Sequence, residues 1–415
     1  MVKIFKKFLR YLALTILGVF IAGNLFIILS GRYYLYNGVW NTYLKGRSGP
    51  SIYDLDVFYT SDLKKSSHPK DYVISKAYNT QEIPKNYLDF FEKLDTKAFL
   101  VFRGDTILHE SYYDDHNAQQ LSNSFSMAKT VVAMLIGIAI DEGYIDNLDV
   151  KVGEFIPEFS TGKKSKITIR HLLIMASGLD WSESGKNPLS NNAESYYGWD
   201  LRDLVVNQKV VDEPGKMFKY QSGNTQLLAF VLEAATGKDL SYYADEKIWK
   251  PLGCSNDAYW SLDKEGGDEK AFCCLYATAR DFAKLGQVFI NKGKYGKQQI
   301  IPEWYYYEMI HPFPMETEEG IANQRYGLQL WTYFGGDNPV YYLRGIKGQY
   351  VISIPNERLI IVRLGTDRLP VFQIPKNKED DPDYIGQNYN KVGHNLGLFE
   401  YISLGKLVAE QSKSE

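Results

Sequence analysis

Ser122-Asn-Ser-Phe-Ser126-Met-Ala-Lys129-Thr-Val-Val-Ala-Met-Leu-Ile-Gly-Ile-Ala-Ile140 is a short polar approach followed by a long apolar run. Ser126, Lys129 and Thr130 are the strongly polar residues inside the run, and all three stand at its start. Ser122, Asn123 and Ser124 can each cap a helix and Gly143 can stop one, so the pattern predicts a single helix over residues 125–141. It is apolar all round, which predicts burial. A lysine in the first turn of such a helix works against the positive end of the helix dipole. Chemistry gives a reason to keep it: residues three apart share a helix face, so the Ser126 and Lys129 side chains can meet. Burial and the dipole both favour a neutral amine, able to take a proton from a hydroxyl. The helix start also offers the Ser126 N–H to a developing oxyanion. The alternative for the bare motif is coincidence, with Lys129 snorkelling to solvent.

Working outward, 415 residues allow either two domains or one elaborated α/β unit with a helical insertion, and 45% hydrophobic residues supply a sizeable core. A net charge of −3, without a basic stripe interleaved with aromatics, argues against nucleic acid as a partner. Cys254, Cys273 and Cys274 are too few for a disulfide framework and lack zinc-site spacing. Either Cys254 pairs with one of the other two outside the cytoplasm, or all three are buried thiols.

Residues 1–10 carry Lys3, Lys6, Lys7 and Arg10 and precede an apolar run, Tyr11 to Leu29, long enough for the ~20 residues a bilayer core requires. The basic flank predicts a cytoplasmic tail (1–10), a transmembrane anchor (11–30) and an extracytoplasmic remainder. A cleaved signal peptide is the rival reading, but the apolar part is long and no good small-x-small site follows. Residues 31–85 lack periodicity and read as a tether, with a short helix near Tyr87–Leu94 just beyond. Ala98–Arg103 and Thr106–Tyr112 flank Gly104-Asp105 as a β-hairpin.

After the Ser126 run, Thr168–Met175 reads as a short capped helix, and 181–199 as an aromatic- and Asn-rich segment, either a site wall or an insert without order. Pro214-Gly215 is a turn, and Tyr220 stands just ahead of a helix that Ser222 or Asn224 can cap and Gly237 closes. Thr278-Ala-Arg-Asp281 reads as a capping box opening a helix to about Asn291. Strands follow at 326–333, 340–343, 349–354 and 359–364, then a final helix from His394 or Asn395 to about Val408. Hairpin, helices, strands, helix is the order of one antiparallel sheet built from both chain ends with a helical middle beside it.

Three separated segments resemble one family. Ser126-Met-Ala-Lys129 resembles the S-x-x-K of the serine β-lactamase and penicillin-binding-protein group. Tyr220-Gln-Ser222, behind Pro214-Gly215, looks like the Tyr-x-Asn or Tyr-x-Ser element of its class C and esterase-like branch. Leu343-Arg-Gly345-Ile-Lys-Gly348-Gln349 is similar to the strand that carries Lys-Thr-Gly. His171–Gly178, Pro251-Leu-Gly253 and Ala277–Asp281 extend the likeness toward 6-aminohexanoate-oligomer hydrolases, over about residues 90–410. The resemblance implies an α/β, β-lactamase/transpeptidase-like fold: an antiparallel sheet flanked by helices plus an inserted, mainly helical subdomain, spanning 86–415 behind the N-terminal transmembrane helix.

It further implies Ser126 as nucleophile, Lys129 as its base, Tyr220 as proton shuttle and the backbone N–H groups of Ser126 and Ile346 as the oxyanion hole. Ser222, Gly345, Gly348 and Gln349 would meet substrate, Gly345 keeping the strand open. No metal or cofactor is required, and His109, His171 and His394 have no role in such a reaction. The departures narrow the chemistry. Leu343 stands where a lysine grips a substrate carboxylate; Arg344 points to the other strand face, Lys347 is a possible substitute, and Ser222 replaces an asparagine. These changes disfavour β-lactam hydrolysis and favour small esters or amides. The other expectations are a D,D-peptidase or D-amino-acid amidase acting on cell-wall peptides, and a catalytically weak wall- or peptide-binding protein.

Overall fold

The computed structural model describes residues 2–378 and 380–412; Met1, Glu379 and residues 413–415, which the expected segments include, lie outside it. The hairpin near residue 100 and the strands of the last third form one seven-stranded sheet. Its order is Trp331–Tyr333, Val340–Gly345, Gln349–Ile354, Leu359–Gly365, Thr96–Arg103, Thr106–Tyr112, Val73–Ile74. The two chain ends join where Leu359–Gly365 pairs antiparallel with Thr96–Arg103, Ile361 facing Val101. Every other pairing is antiparallel except that of the short Val73–Ile74 edge.

Alternation along the strands sends side chains to two cores. Leu100, Phe102, Val351, Ile360 and Val362 belong to the core under the helix Ala279–Ile290 and the helical body. Phe99, Val101, Ile352 and Ile361 belong to the core under the C-terminal helix Leu396–Gln411. Both helices approach the sheet through a glycine. A Cβ at Gly286 would stand 2.9 Å from Ile360 and 3.0 Å from Val351, and one at Gly405 would overlap Ile361.

The insertion carries the Ser126 helix, Ala128–Asp141, whose residues from Ala128 to Ala139 are all buried. Each fully buried Val, Leu, Ile or Met there contributes roughly 1.5–3 kcal/mol. The helix Ser222–Thr236 packs beside it and ends at Gly237, with φ +69° in the left-handed region. The Thr278 cap of Ala279–Ile290 and the Asn395 cap of Leu396–Gln411 stand where the sequence places them. The expected strand over 326–333 shrinks to Trp331–Tyr333, because Gln329 turns with φ +51°.

Residues 31–85, expected as a tether, are packed on the body. Thr60–Leu63 pairs with Ala258–Ser261 in a second, four-stranded sheet that also holds Leu275–Ala277 and Ser122–Asn123. Ile52 and Leu63 are buried, and the helix Tyr34–Asn41 lies against Asn191–Tyr197. The apolar anchors Tyr34, Ile52, Leu63 and Ala77 fall at irregular intervals, so no periodicity announces them. By contrast Val2–Ser30 is one helix, and no residue of the apolar window within its span Lys3–Ser30 is buried; by length and composition it can cross a membrane. The cysteines differ from both expectations: Cys273 and Cys274 are disulfide-bonded to each other, and Cys254 is a buried free thiol.

Candidate active site

Ser126 stands in a 3-10 turn, Phe125–Met127, that leads into the helix Ala128–Asp141, so the expected single helix has a tighter first turn. Phe125 is held at φ +45°, unfavourable for an aromatic residue. The constraint comes from outside the helix: the Asn123 carboxamide accepts the Phe125 N–H at 2.8 Å, and the Ser124 N–H donates to Leu275 O at 2.8 Å. Ser126 is half-buried at the head of an otherwise buried helix.

Lys129 is buried, and its Nζ donates to Ser126 Oγ and to the Phe272 carbonyl, both at 2.8 Å. Both partners are neutral oxygens. The Tyr220 ring faces the same nitrogen, 5.1 Å from its centroid. Tyr220 is fixed in turn by Trp331, stacked at 5.8 Å, and by the edge of Tyr326, also at 5.8 Å. Gln329 ties the two site-bearing helices together: Thr130 Oγ1 donates to its carbonyl at 2.7 Å and Thr225 Oγ1 to its side-chain oxygen at 2.9 Å. The fold thus brings Ser126, Lys129 and Tyr220 together from two helix starts.

The third segment also reaches this place, but several of its residues serve the scaffold. Gly345 ends the strand Val340–Gly345, and a Cβ there would overlap Ser124 O, so glycine lets the strand close on the serine loop. Its missing side chain gives room for that loop. Ile346 follows directly and is exposed. Gln349 is buried, donating to Gly365 O at 2.7 Å and to Ile346 O at 3.1 Å, which locks the strand ends instead of offering an amide to a ligand. Gly348, at φ +81°, passes against the Arg363 guanidinium, which bonds its carbonyl at 2.9 Å. Ser222 is buried with its hydroxyl donating to Glu183 at 2.6 Å, and Glu183 also accepts the Ser222 N–H at 2.8 Å. That carboxylate caps the Tyr220 helix from the 181–199 segment, which is ordered and includes the helix Asn191–Tyr197.

Arg344 departs most from expectation. It does sit on the strand face opposite Leu343, yet its guanidinium lies 3.4 Å over the Trp331 ring and reaches a cavity of about 190 Å³ that Tyr220 also lines. Lys347, the other possible substitute, donates to Thr366 O at 3.3 Å.

A protein-family model described as beta-lactamase matches residues 91–379. The chain belongs to that family. The 6-aminohexanoate-dimer hydrolase of Paenarthrobacter ureafaciens is 25% identical over 292 residues, covering 66% of this chain and 74% of the relative. Esterase EstB of Burkholderia gladioli is 28% identical over 153 residues, 34% of this chain and 38% of the esterase. A solved Bacillus anthracis structure, provisionally named a 6-aminohexanoate-dimer hydrolase, superposes with a TM-score of 0.67 at 22% identity, covering 76% of this chain and 87% of that one. This member of the beta-lactamase family is accordingly a hydrolase with amidase and esterase relatives, built on the β-lactamase/transpeptidase-like α/β fold.

Within this beta-lactamase-family fold the hydrogen bonds of Lys129 go to Ser126 and Phe272, and those of the histidines go elsewhere. Burial pushes His109 down to about 4 and His394 well below its ordinary value, so both are neutral, and His394 Nδ1 meets the Tyr342 hydroxyl at 2.6 Å. His171 Nδ1 accepts the Thr168 N–H at 3.3 Å. Among the described residues no group of His, Cys, Asp or Glu could hold a metal. Asn123, Glu183 and the Phe272 carbonyl are the positioning groups that sequence reasoning missed. Asn123 left a signal as a cap candidate and Glu183 as the acid within a segment read either as a site wall or as an insert without order, whereas the Phe272 carbonyl left none.

Proposed function

We propose that the protein is a membrane-anchored serine hydrolase that cleaves small esters or amides outside the cytoplasm. The 2.8 Å contact of buried Lys129 with Ser126, under the Tyr220 ring, carries the reading. Lys129 Nζ takes the hydroxyl proton as Ser126 Oγ attacks the substrate carbonyl carbon. The Ser126 and Ile346 N–H groups stabilise the oxyanion. On collapse Tyr220 gives its proton to the departing oxygen or nitrogen and takes up the one Lys129 removed from Ser126, leaving an acyl-enzyme. Water then attacks the acyl carbon, gives up its proton through the same pair, and the carboxylic acid leaves. The amide and ester substrates named for the relatives suit this chemistry. The Val2–Ser30 helix, with its basic start, anchors the enzyme with its N-terminus in the cytoplasm.

A fluorophosphonate probe tests both parts. It labels the full chain in the membrane fraction and spares Ser126→Ala; equal labelling of the two sinks the nucleophile, and label confined to the soluble fraction sinks the anchor.

A second reading, a peptidase or amidase for carboxylate-bearing substrates such as cell-wall peptides, draws support from Arg344. Its guanidinium shares the Tyr220 cavity, and its hydrogen bond goes to the neutral Gly393 carbonyl at 3.1 Å.

A further inference from the structure

The Phe272 carbonyl that holds Lys129 belongs to the residue just before a disulfide between adjacent cysteines. That bond closes Cys273 and Cys274 into one small ring that constrains ψ of Cys273 and φ of Cys274, and the Phe272–Cys273 peptide just outside the ring is held by its N–H donating to the Lys270 carbonyl at 3.0 Å. Cys274 sits at φ +67°, a region that non-glycine residues enter at a cost and keep only when their surroundings impose it. The surroundings here are specific. The Trp260 indole donates to Cys273 O at 2.8 Å, and the Ser261 N–H donates to Cys274 O at 3.0 Å. The Cys274 N–H donates to Asn123 Oδ1 at 3.1 Å, the same oxygen that accepts the Phe125 N–H ahead of Ser126. One carboxamide therefore registers the disulfide segment against the serine loop, and the carbonyl next to the disulfide registers the lysine against the serine.

We propose that the Cys273–Cys274 disulfide is a positioning element for the reaction: it holds the Phe272 carbonyl where that oxygen keeps Lys129 Nζ against Ser126 Oγ. The proposal rests on the reading of Ser126 and Lys129 as nucleophile and base. It also fits an extracytoplasmic domain, where disulfides persist. Both sulfurs are buried, so the bond acts through the backbone and does not meet substrate.

Alkylation of the unreduced, denatured full chain with N-ethylmaleimide tests the bond itself. One adduct, on Cys254, is expected, and any adduct on Cys273 or Cys274 overturns the proposal. Fluorophosphonate titration then separates positioning from mere folding, because its amplitude counts competent sites and its rate reports on each site. Cys273→Ser/Cys274→Ser is expected to keep the amplitude and KM while the per-site rate falls about 10- to 100-fold, the scale of a misplaced reacting group. A lower amplitude at an unchanged per-site rate overturns positioning.

If that variant does not fold, the wild type is treated with dithiothreitol. The reagent gives two electrons and two protons to the disulfide and leaves as its own cyclic disulfide, and a gain of two hydrogens in mass verifies the reduction. The per-site rate is expected to fall and to recover on reoxidation; an unchanged rate after verified reduction overturns the proposal. Absence of Ser126 labelling in the wild type removes the catalytic reading and the proposal with it, whereas labelling at an unchanged rate in the opened forms removes the proposal alone.

Discussion

At the scale of the residue, the pair Ser126 and Lys129 was legible because a serine and a lysine three apart at the start of an apolar helix have few structural uses. Their partner Tyr220 was legible from the residues alone as a tyrosine ahead of a second helix, and as a proton shuttle through the resemblance of Tyr220-Gln-Ser222. Lys129→Ala and Tyr220→Phe are each expected to lower kcat by at least ~10²-fold, the scale of a lost acid–base group, measured by steady-state turnover of an ester that labels Ser126. Near-normal turnover in either removes that residue from the reaction. Arg344 shows how strand alternation misleads when the side chain is long. The face assignment holds, but stacking on Trp331 carries the guanidinium into the Tyr220 cavity. Arg344→Ala is expected to raise KM about 10-fold or more for substrates bearing a carboxylate, with kcat little changed, the size of one charged hydrogen bond. An equal effect on neutral esters would show that the arginine only supports Trp331.

At the scale of the element, capping and periodicity located most helices and the central strands, since each of those signals is local. The failures are elements defined by what they touch. Residues 31–85 contribute a strand and a helix whose partners, Ala258–Ser261 and Asn191–Tyr197, lie far along the chain. The expected strand at 326 is cut short because Gln329 turns to clamp Thr130 and Thr225. Gly405, inside the C-terminal helix, is the point of contact with Ile361. Gly405→Val is therefore expected to cost about 1–3 kcal/mol through overpacking. Thermal unfolding should show a fall of several degrees, while fluorophosphonate labelling at Ser126 persists in the folded fraction.

At the scale of the whole molecule, buried imidazoles make stability depend on pH. Burial pushes His109 and His116 down to about 4 from 6.5, so between those values the unfolded chain binds protons that the folded one refuses. Their stabilising contribution is complete above pH 6.5 and is lost as pH falls toward about 4. The melting temperature should drop across that window, and His109→Gln should lessen the drop; an unchanged slope would mean that other groups carry it. His116 Nδ1 meets the Tyr53 hydroxyl at 3.0 Å, so part of this dependence comes from the segment that packs the N-terminal region onto the domain.

The amino-acid sequence by itself determined the fold class, through the order of its elements and the resemblance of three separated segments, and the apolar N-terminal helix and the candidate nucleophile and base, through spacing within a few turns of chain. Tertiary structure alone decided which groups hold them. The Phe272 carbonyl, the Asn123 carboxamide, Glu183 on Ser222 and the Cys273–Cys274 bond act across 39 to 151 positions of sequence or through backbone atoms. A backbone oxygen has no residue type to reveal it, and a contact closed by folding leaves no period in the sequence.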